Sequence, residues 1–102
     1  MPGLAAYAAS KAAVSTLTRA AAREYMPDGV RINAVSPGPV AAPMSRLPGE
    51  SDDQREARLD PQLPVGRVGT LDEVAETVLW LASPEAGFVV GHDLVLDGGA
   101  SL

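Results

Sequence analysis

The sequence predicts an α/β chain: one long helix, then a strand, a second helix and a second strand. Three observations predict this class. An alanine-rich stretch with no internal Gly or Pro lies near the start, and short runs rich in branched residues at 30–36 and 94–97 are typical of strands. A capped apolar segment at 70–82 lies between those runs. A strand–helix–strand unit of this kind is expected to be parallel and right-handed.

The first helix is expected at 4–26, because Pro27-Asp28-Gly29 is a clear stop signal. Tyr7 and Lys11 lie four residues apart in it and therefore share one face. An ammonium one turn from a phenol favours the phenolate electrostatically, so the pair can give or take a proton at an alcohol or carbonyl oxygen. The bare pair is also compatible with a helix-face tyrosine beside a solvated lysine, which is the more frequent case.

A mostly buried strand is expected at 30–36, directly after the stop signal. The turn that follows, Pro37-Gly38-Pro39, is rigid and lets backbone come close to a ligand, although such a turn alone more often has only a structural role.

Residues 41–64 form a long connection interrupted by prolines, with a charged stretch at 50–56 that predicts a short helix. A connection of this length is either a lid over a site or a flexible surface loop, and the residues alone leave both open.

The second helix is predicted at 70–82, because Thr70 and Glu73 form a capping box and apolar residues then recur at helical spacing until Ser83-Pro84. Val89-Val90-Gly91 and 94–97 are the remaining strand-like pieces. Parallel strands are normally covered on both faces. With so few strands, one edge of the strand at 30–36 should lack a partner.

Composition excludes several classes of protein. The formal charge is −5 and no basic stripe is present, which argues against nucleic acid and anionic membranes as partners. There is no cysteine and His92 is the only histidine, so no metal site is expected. No apolar run approaches the roughly 20 residues of a membrane span. A soluble, cytoplasmic protein is the expectation.

The ordered motifs resemble the short-chain dehydrogenases/reductases. They are Tyr7-x-x-x-Lys11, Val30-Arg-Ile-Asn-Ala-Val-Ser-Pro-Gly38, Pro64-Val-Gly-Arg67, Glu73-Val-Ala75, Leu81-Ala-Ser83, Gly91 and Asp97-Gly-Gly99. Each motif is weak, but the ordered set is specific and covers nearly the whole chain. The resemblance is to the C-terminal part of a doubly wound, Rossmann-like sheet that binds NAD or NADP.

The resemblance implies roles for five residues. Tyr7 would be the proton donor or acceptor at the substrate oxygen, and Lys11 would stabilise its phenolate and hydrogen-bond the nicotinamide ribose. Pro37, Gly38 and Val40 would line the nicotinamide, with the Val40 backbone touching the carboxamide. Residues 44–63 would be the substrate lid, and the alanine-rich helix would lie in a dimer interface. The family usually has Thr where this chain has Ala42, which removes a hydroxyl near the cofactor.

Two hypotheses follow. The first is an NAD(P)-dependent oxidoreductase acting on a small carbonyl compound or secondary alcohol. The family's glycine-rich loop and catalytic serine have no counterpart in this sequence, so weak or no cofactor binding and no activity are expected for the chain alone. The second is a non-catalytic, truncated paralogue that acts as an interaction module. It would form a homo-oligomer or associate with a full-length relative.

Overall fold

The computed structural model describes residues 4–102 and confirms the α/β class, with a long helix and a small parallel sheet. The main elements, in chain order, are α1 (Leu4–Tyr25), β1 (Ala34–Pro37), α2 (Asp52–Leu59), α3 (Leu71–Ala82) and β2 (Asp93–Leu96). They form two compact units. The first takes in the described part of Met1–Val35 together with Leu81–Leu94, and the second comprises Ser36–Trp80 and Val95–Leu102.

In the first unit, α1 follows the expected range closely and ends one residue early. A short 3-10 turn at Met26–Asp28 closes it, and Gly29 then adopts a φ of 78°, a left-handed conformation that favours glycine. Thr18 and Ala22 form the buried side of the helix. The Ser15 hydroxyl donates to the Asp93 carboxylate, so a polar bond joins α1 to the start of β2.

Arg31 organises the connection between α3 and β2 in the first unit. Its guanidinium donates to four backbone carbonyls, those of Leu81 (3.1 Å), Ser83 (3.0 Å), Ala86 (2.9 Å) and Val89 (3.3 Å). The Leu81 carbonyl lies in the last turn of α3, where carbonyls lack helical partners and a cation is electrostatically favourable, and the other three acceptors lie in the connection that follows. Arg31 therefore caps α3 from outside the helix.

The first strand is shorter than the sequence predicted, since β1 is Ala34–Pro37 and not 30–36. Regular pairing begins where the Ala34 amide donates to the His92 carbonyl (2.8 Å) and ends where the Gly38 amide donates to the Leu96 carbonyl (2.9 Å). Upstream, the Asn33 side chain donates to the Val89 carbonyl and accepts a hydrogen bond from the His92 amide, so the chain there follows an irregular loop.

Two further expectations for the strands were wrong. Val89–Gly91 is not a strand, because Gly91 turns the chain with a φ of 71°. The residues of β1 are half-buried or exposed, because the described part of the chain supplies a neighbouring strand on one side only. The last strand, expected at 94–97, is shifted by one residue to Asp93–Leu96.

In the second unit, the long connection is ordered by arginines. Arg58 makes a bidentate ion pair with Glu50, both bonds being 2.9 Å, and also donates to the Ser45 carbonyl. Arg55 is only 3% exposed, and its Nε has no partner in the described part of the chain. The helix expected at 50–56 is α2, which begins later because Ser51 and Gln54 form a capping box.

The Glu50–Arg58 pair predicts an acid-sensitive stability. The hydrogen bond from Arg58, aided by the Leu47 amide, lowers the pKa of Glu50 from 4.5 to about 2. A carboxyl whose pKa is lowered by folding stabilises the protein above its unfolded pKa, and that contribution is lost as pH falls through the folded pKa. The melting temperature is therefore expected to drop between pH 4.5 and pH 2.

Glu50→Gln should lower the melting temperature at neutral pH and flatten this acid-dependent drop. Glu76→Gln, at an exposed carboxylate of α3, is the matched control and should follow the unmutated protein. Thermal melts by circular dichroism across this pH range measure both. An unchanged pH slope in Glu50→Gln would contradict the prediction.

The capping box predicted for α3 is present: the Glu73 amide donates to the Thr70 hydroxyl (3.0 Å), and the Thr70 amide donates to the Glu73 carboxylate (2.9 Å). The Glu73 carboxylate also accepts hydrogen bonds from Nη1 and Nη2 of Arg67. These bonds are the main reason that the pKa of Glu73 is lowered to about 2. Trp80, which also lies in α3, is 46% exposed.

Burial is sparse within residues 4–102. The buried apolar residues are mainly small or medium-sized: Ala22, Leu63, Val68, Leu81 and Ala86. Large apolar side chains such as Leu17, Leu79 and Phe88 are exposed, which leaves considerable apolar surface uncovered. Neither α1 nor any other described helix combines the length and apolar character needed to cross a bilayer.

Candidate functional site

Tyr7 and Lys11 meet on one face of α1, as their spacing predicted. The Lys11 ammonium lies 5.5 Å from the centroid of the Tyr7 ring, a cation–π distance. Tyr7 is 60% exposed, so its hydroxyl is accessible to a ligand. Lys11 makes no ion pair or hydrogen bond in the part of the chain that the structure describes. Its three N–H groups therefore remain free to donate.

Ser10 lies between these two residues but has a local role. Its hydroxyl donates to the Tyr7 backbone carbonyl at 2.7 Å, a bond that side chains of this type commonly make inside helices. That bond occupies the Ser10 hydroxyl proton.

The turn after β1 is in close contact with the end of β2. A Cβ added to Gly38 would lie 2.5 Å from the Asp97 Cβ and 2.8 Å from the Asp97 Cα. Packing against Asp97 is therefore sufficient to explain a glycine at this position, without a ligand. Asp97 itself closes the following turn, its carboxylate accepting from the Gly99 amide (2.9 Å) and the Ser101 amide (3.0 Å).

Gly38→Ala is therefore expected to destabilise the protein by about 1–3 kcal/mol, because the added methyl meets fixed backbone and must displace it. Gly69→Ala is the matched comparison. Its added Cβ would lie 3.2 Å from the Val40 Cγ1, which a rotation of that side chain relieves, and 3.7 Å from the Pro39 carbonyl oxygen, an ordinary van der Waals distance. Urea denaturation of both variants measures the difference. Equal losses would show that the Gly38–Asp97 contact is not tight.

The Val40 backbone amide has no backbone acceptor within residues 4–102. The Ala41 amide donates to the Gly69 carbonyl (2.9 Å), the Gly69 amide donates to the Pro39 carbonyl (3.0 Å), and the Val40 carbonyl accepts from Ala42. Within residues 4–102 the Val40 amide itself donates to no other backbone group. A free amide at this position fits the expected contact with a carboxamide oxygen.

A cavity of about 180 Å³ adjoins this segment in the second unit. Its walls include Val40, Val65 and Leu96, and its rim carries the Arg67–Glu73 ion pair and Asp97. None of the sequence motifs predicted this cavity. The available signal was the position of Val40 and Asp97 after two parallel strands, because ligands in open α/β sheets bind beyond the carboxyl ends of the strands.

The predicted site residues thus form two groups. Tyr7 and Lys11 are neighbours in the first unit, while Pro37, Gly38 and Val40 follow one another in the second unit. His92 contributes its backbone amide to Asn33, and its side chain is exposed. No group of three or more acidic or histidine side chains converges on a metal-sized site among the described residues.

Comparison with known proteins identifies the class. A family model described as enoyl-(acyl carrier protein) reductase matches residues 1–101. The inactive 2-(S)-hydroxypropyl-CoM dehydrogenase 2 of Xanthobacter autotrophicus is 44% identical over 97% of this chain and 44% of its own length. Cyclopentanol dehydrogenase of Comamonas testosteroni is 45% identical over 96% of this chain and 39% of its own length.

Solved structures are similar to this chain over nearly its whole length. A mutant of the Serratia marcescens short-chain dehydrogenase/reductase is 39% identical with a TM-score of 0.82, over 100% of this chain and 41% of that one. The acetoin dehydrogenase YohF of Salmonella typhimurium is 33% identical with a TM-score of 0.78, over 99% and 37%.

The chain belongs to the short-chain dehydrogenase/reductase family. It spans about two fifths of the length of the curated relatives that it matches.

Proposed function

We propose that this chain is part of an NAD(P)-dependent oxidoreductase that transfers hydride between a nicotinamide and a carbonyl or secondary alcohol carbon. The observation that carries the proposal is the exposed Tyr7–Lys11 pair on α1, within a chain matched to the family over residues 1–101. The names of two relatives, cyclopentanol dehydrogenase and 3beta-hydroxysteroid dehydrogenase 1, support an alcohol or carbonyl as the substrate.

Tyr7 handles the proton at the substrate oxygen. In the reductive direction its phenolic O–H donates to the carbonyl oxygen as hydride reaches the carbon, and the phenol regains a proton from solvent. In the oxidative direction Tyr7 accepts the alcohol proton. The Lys11 ammonium, 5.5 Å from the ring centroid, stabilises the negative charge that the phenol acquires between these steps.

Each unit, taken by itself, carries groups suited to part of a nicotinamide dinucleotide, which would supply or accept the hydride when bound. Lys11 has free N–H donors suited to ribose hydroxyls, and the free Val40 amide is suited to the carboxamide oxygen. Pro37 and Gly38 give a rigid backbone edge for the ring. Ala42 contributes no hydroxyl, so the expected family contact at that position is absent.

The proposal extends to the surroundings of the site. Residues 44–63, ordered by Arg55 and Arg58, act as the cover over a small-molecule substrate. The protein works in the cytoplasm, and α1 contributes to an interface between copies or with a full-length relative.

The test combines mass with turnover. The intact mass of the polypeptide carrying this sequence is measured in its native host, and that same polypeptide is purified and assayed with NAD and NADP against secondary alcohols and ketones. We expect a mass more than twice 10.5 kDa and turnover. A polypeptide of that larger size that shows no nicotinamide-dependent turnover with any of these substrates would contradict the oxidoreductase role.

A second candidate is a non-catalytic interaction module, favoured by the large exposed apolar side chains and by a relative named as inactive. This role predicts a native mass near 10.5 kDa, no turnover, and association with itself or with a full-length relative. Sedimentation at micromolar concentration, alone and mixed with such a relative, tests it. A chain that stays monomeric in both conditions would exclude the module.

A further inference from the structure

A second surface of the first unit has the features of a ligand site, independent of Tyr7 and Lys11. It is an open groove of about 710 Å³ beside the last turns of α1. Its lining includes Arg19 and Arg23, together with the apolar side chains of Met26, Pro27 and Val90. We call it the arginine groove.

The two arginines of the groove have no partner. Arg19 and Arg23 are four residues apart, so their guanidinium groups stand on the same side of α1. Neither makes an ion pair or a hydrogen bond within residues 4–102, and the groove lining holds no acidic side chain. Such pairing of cations is unusual in a chain whose formal charge is −5, where carboxylates outnumber basic groups.

Helix stabilisation accounts for only one of them. Arg23 lies in the last turn of α1, where a cation interacts favourably with the helix dipole. Arg19 lies more than one turn from Tyr25, and the dipole effect falls off within the last turn. Its position beside Arg23 therefore needs another reason, and a shared anion supplies one, because two guanidinium forks can bind one oxyanion group from adjacent positions.

The groove is open between α1 and the loop before β2 because two small residues, Ala22 and Gly91, lie there. Gly91 has a φ of 71°, and a Cβ added there would lie 3.3 Å from the Ala22 Cβ. Any larger side chain at position 91 would fill the space between α1 and the loop before β2. The result is a recess with apolar walls and two cations at one side, a combination suited to a ligand with an apolar body and an anionic end.

We propose that the arginine groove binds a free small-molecule amphiphile, with a phosphate or carboxylate held by Arg19 and Arg23 and an alkyl body resting on Met26 and Val90. An anionic membrane surface is a poor alternative, because two cations attract it only weakly and the net charge of the protein opposes the approach. The site is separate from the proposed hydride-transfer residues and does not depend on them.

Binding is tested by calorimetry on the whole protein, with octyl phosphate as the probe. Octyl glucoside, with the same tail and no charge, and inorganic phosphate, with the charge and no tail, are the comparisons. We expect octyl phosphate to bind at least about tenfold more tightly than either, since only it uses both features of the groove. Equal binding of octyl glucoside, or no binding of octyl phosphate, would overturn the proposal.

Variants assign the site. Arg19→Gln with Arg23→Gln should weaken octyl phosphate binding about tenfold or more, the double Lys variant should retain much of it, and Val90→Thr should weaken it through the tail. Arg46→Gln, at an exposed arginine of the second unit, is the matched control and should have no effect. Unchanged affinity in the double Gln variant would place the ligand elsewhere and refute the assignment.

Two other occupants give distinct results. If the groove contacts membranes, the protein will cosediment with phosphatidylglycerol vesicles, and the double Gln variant will not. If it receives an acidic segment of a second copy, sedimentation will show self-association that the same variant abolishes. Either result would overturn the small-molecule proposal, and circular dichroism melts establish that each variant is folded.

Discussion

In the proposed oxidoreductase, Tyr7→Phe is expected to lower kcat by about 10²–10⁴-fold, because it removes the only phenolic proton in the Tyr7–Lys11 pair and leaves the ring in place. KM for the substrate should change little, since the hydroxyl is used mainly when the proton moves. The measurement is steady-state oxidation of a secondary alcohol that the unmutated enzyme turns over.

Tyr25→Phe is the matched control for this experiment. Tyr25 lies on the same helix, with 50% exposure against 60% for Tyr7, and has no lysine one turn away. Its kcat should stay within about twofold of the unmutated value. If both variants lose activity equally, the effect comes from α1 as a whole, and the catalytic role of Tyr7 is wrong. If Tyr7→Phe retains full kcat, the proton at the substrate oxygen is handled elsewhere.

Arg31→Met is expected to be the most destabilising substitution at a charged residue of the first unit. Methionine keeps much of the length and apolar stem but removes one donor from each of four carbonyls. The carbonyls of Ser83, Ala86 and Val89 keep a second donor, whereas that of Leu81 has no other donor within residues 4–102. A lost hydrogen bond costs about 0.5–1.5 kcal/mol and an unsatisfied buried acceptor about 1–3 kcal/mol, and these losses are not fully additive. We expect a loss of at least about 2 kcal/mol in the free energy of unfolding, measured by urea denaturation.

Two further variants serve as comparisons for Arg31→Met. Arg19→Met removes an exposed arginine that makes no hydrogen bond in the described chain, and should change stability by no more than about 0.5 kcal/mol. Arg31→Lys retains the charge but presents one nitrogen where two now bind, so an intermediate loss is expected. A loss for Arg31→Met as small as that for Arg19→Met would mean that solvent replaces the guanidinium at these carbonyls.

Local signals in the sequence predicted the helices well. Alanine content and the Pro27-Asp28-Gly29 stop define α1, and the Thr70–Glu73 box defines the start of α3, because these interactions involve residues within one turn of each other. The Ser51–Gln54 box that starts α2 is a signal of the same kind, whereas the charged run at 50–56 predicted a helix that begins too early. Each of these boundaries depends on neighbours in sequence.

The strands were predicted less well, because their limits depend on distant residues. The run at 30–36 has uniform strand character, yet Asn33 is bound to the loop at Val89 and His92, and regular pairing starts only at Ala34. The role of Arg31 has the same origin, since its acceptors lie 50–58 residues away. Nothing near position 31 indicates which carbonyls it will meet.

The candidate site shows the same division. The Tyr7–Lys11 pair follows directly from helical spacing, and the structure brings the two side chains together. The contact between Gly38 and Asp97 and the free amide of Val40 could not be derived from periodicity, because both depend on how the ends of β1 and β2 meet.

The large sequence separation between Arg31 and its acceptors also has a consequence for synthesis on the ribosome. Its last acceptor, the Val89 carbonyl, is made 58 residues after the arginine itself. At roughly 5–20 residues per second, that interval is about 3–12 seconds. During it, β1 has left the peptidyl transferase centre without its partner strand, and the guanidinium is solvated. The nascent chain is thus most vulnerable to misassociation in the seconds before β2 emerges, and slower translation of residues 38–90 would prolong that exposure.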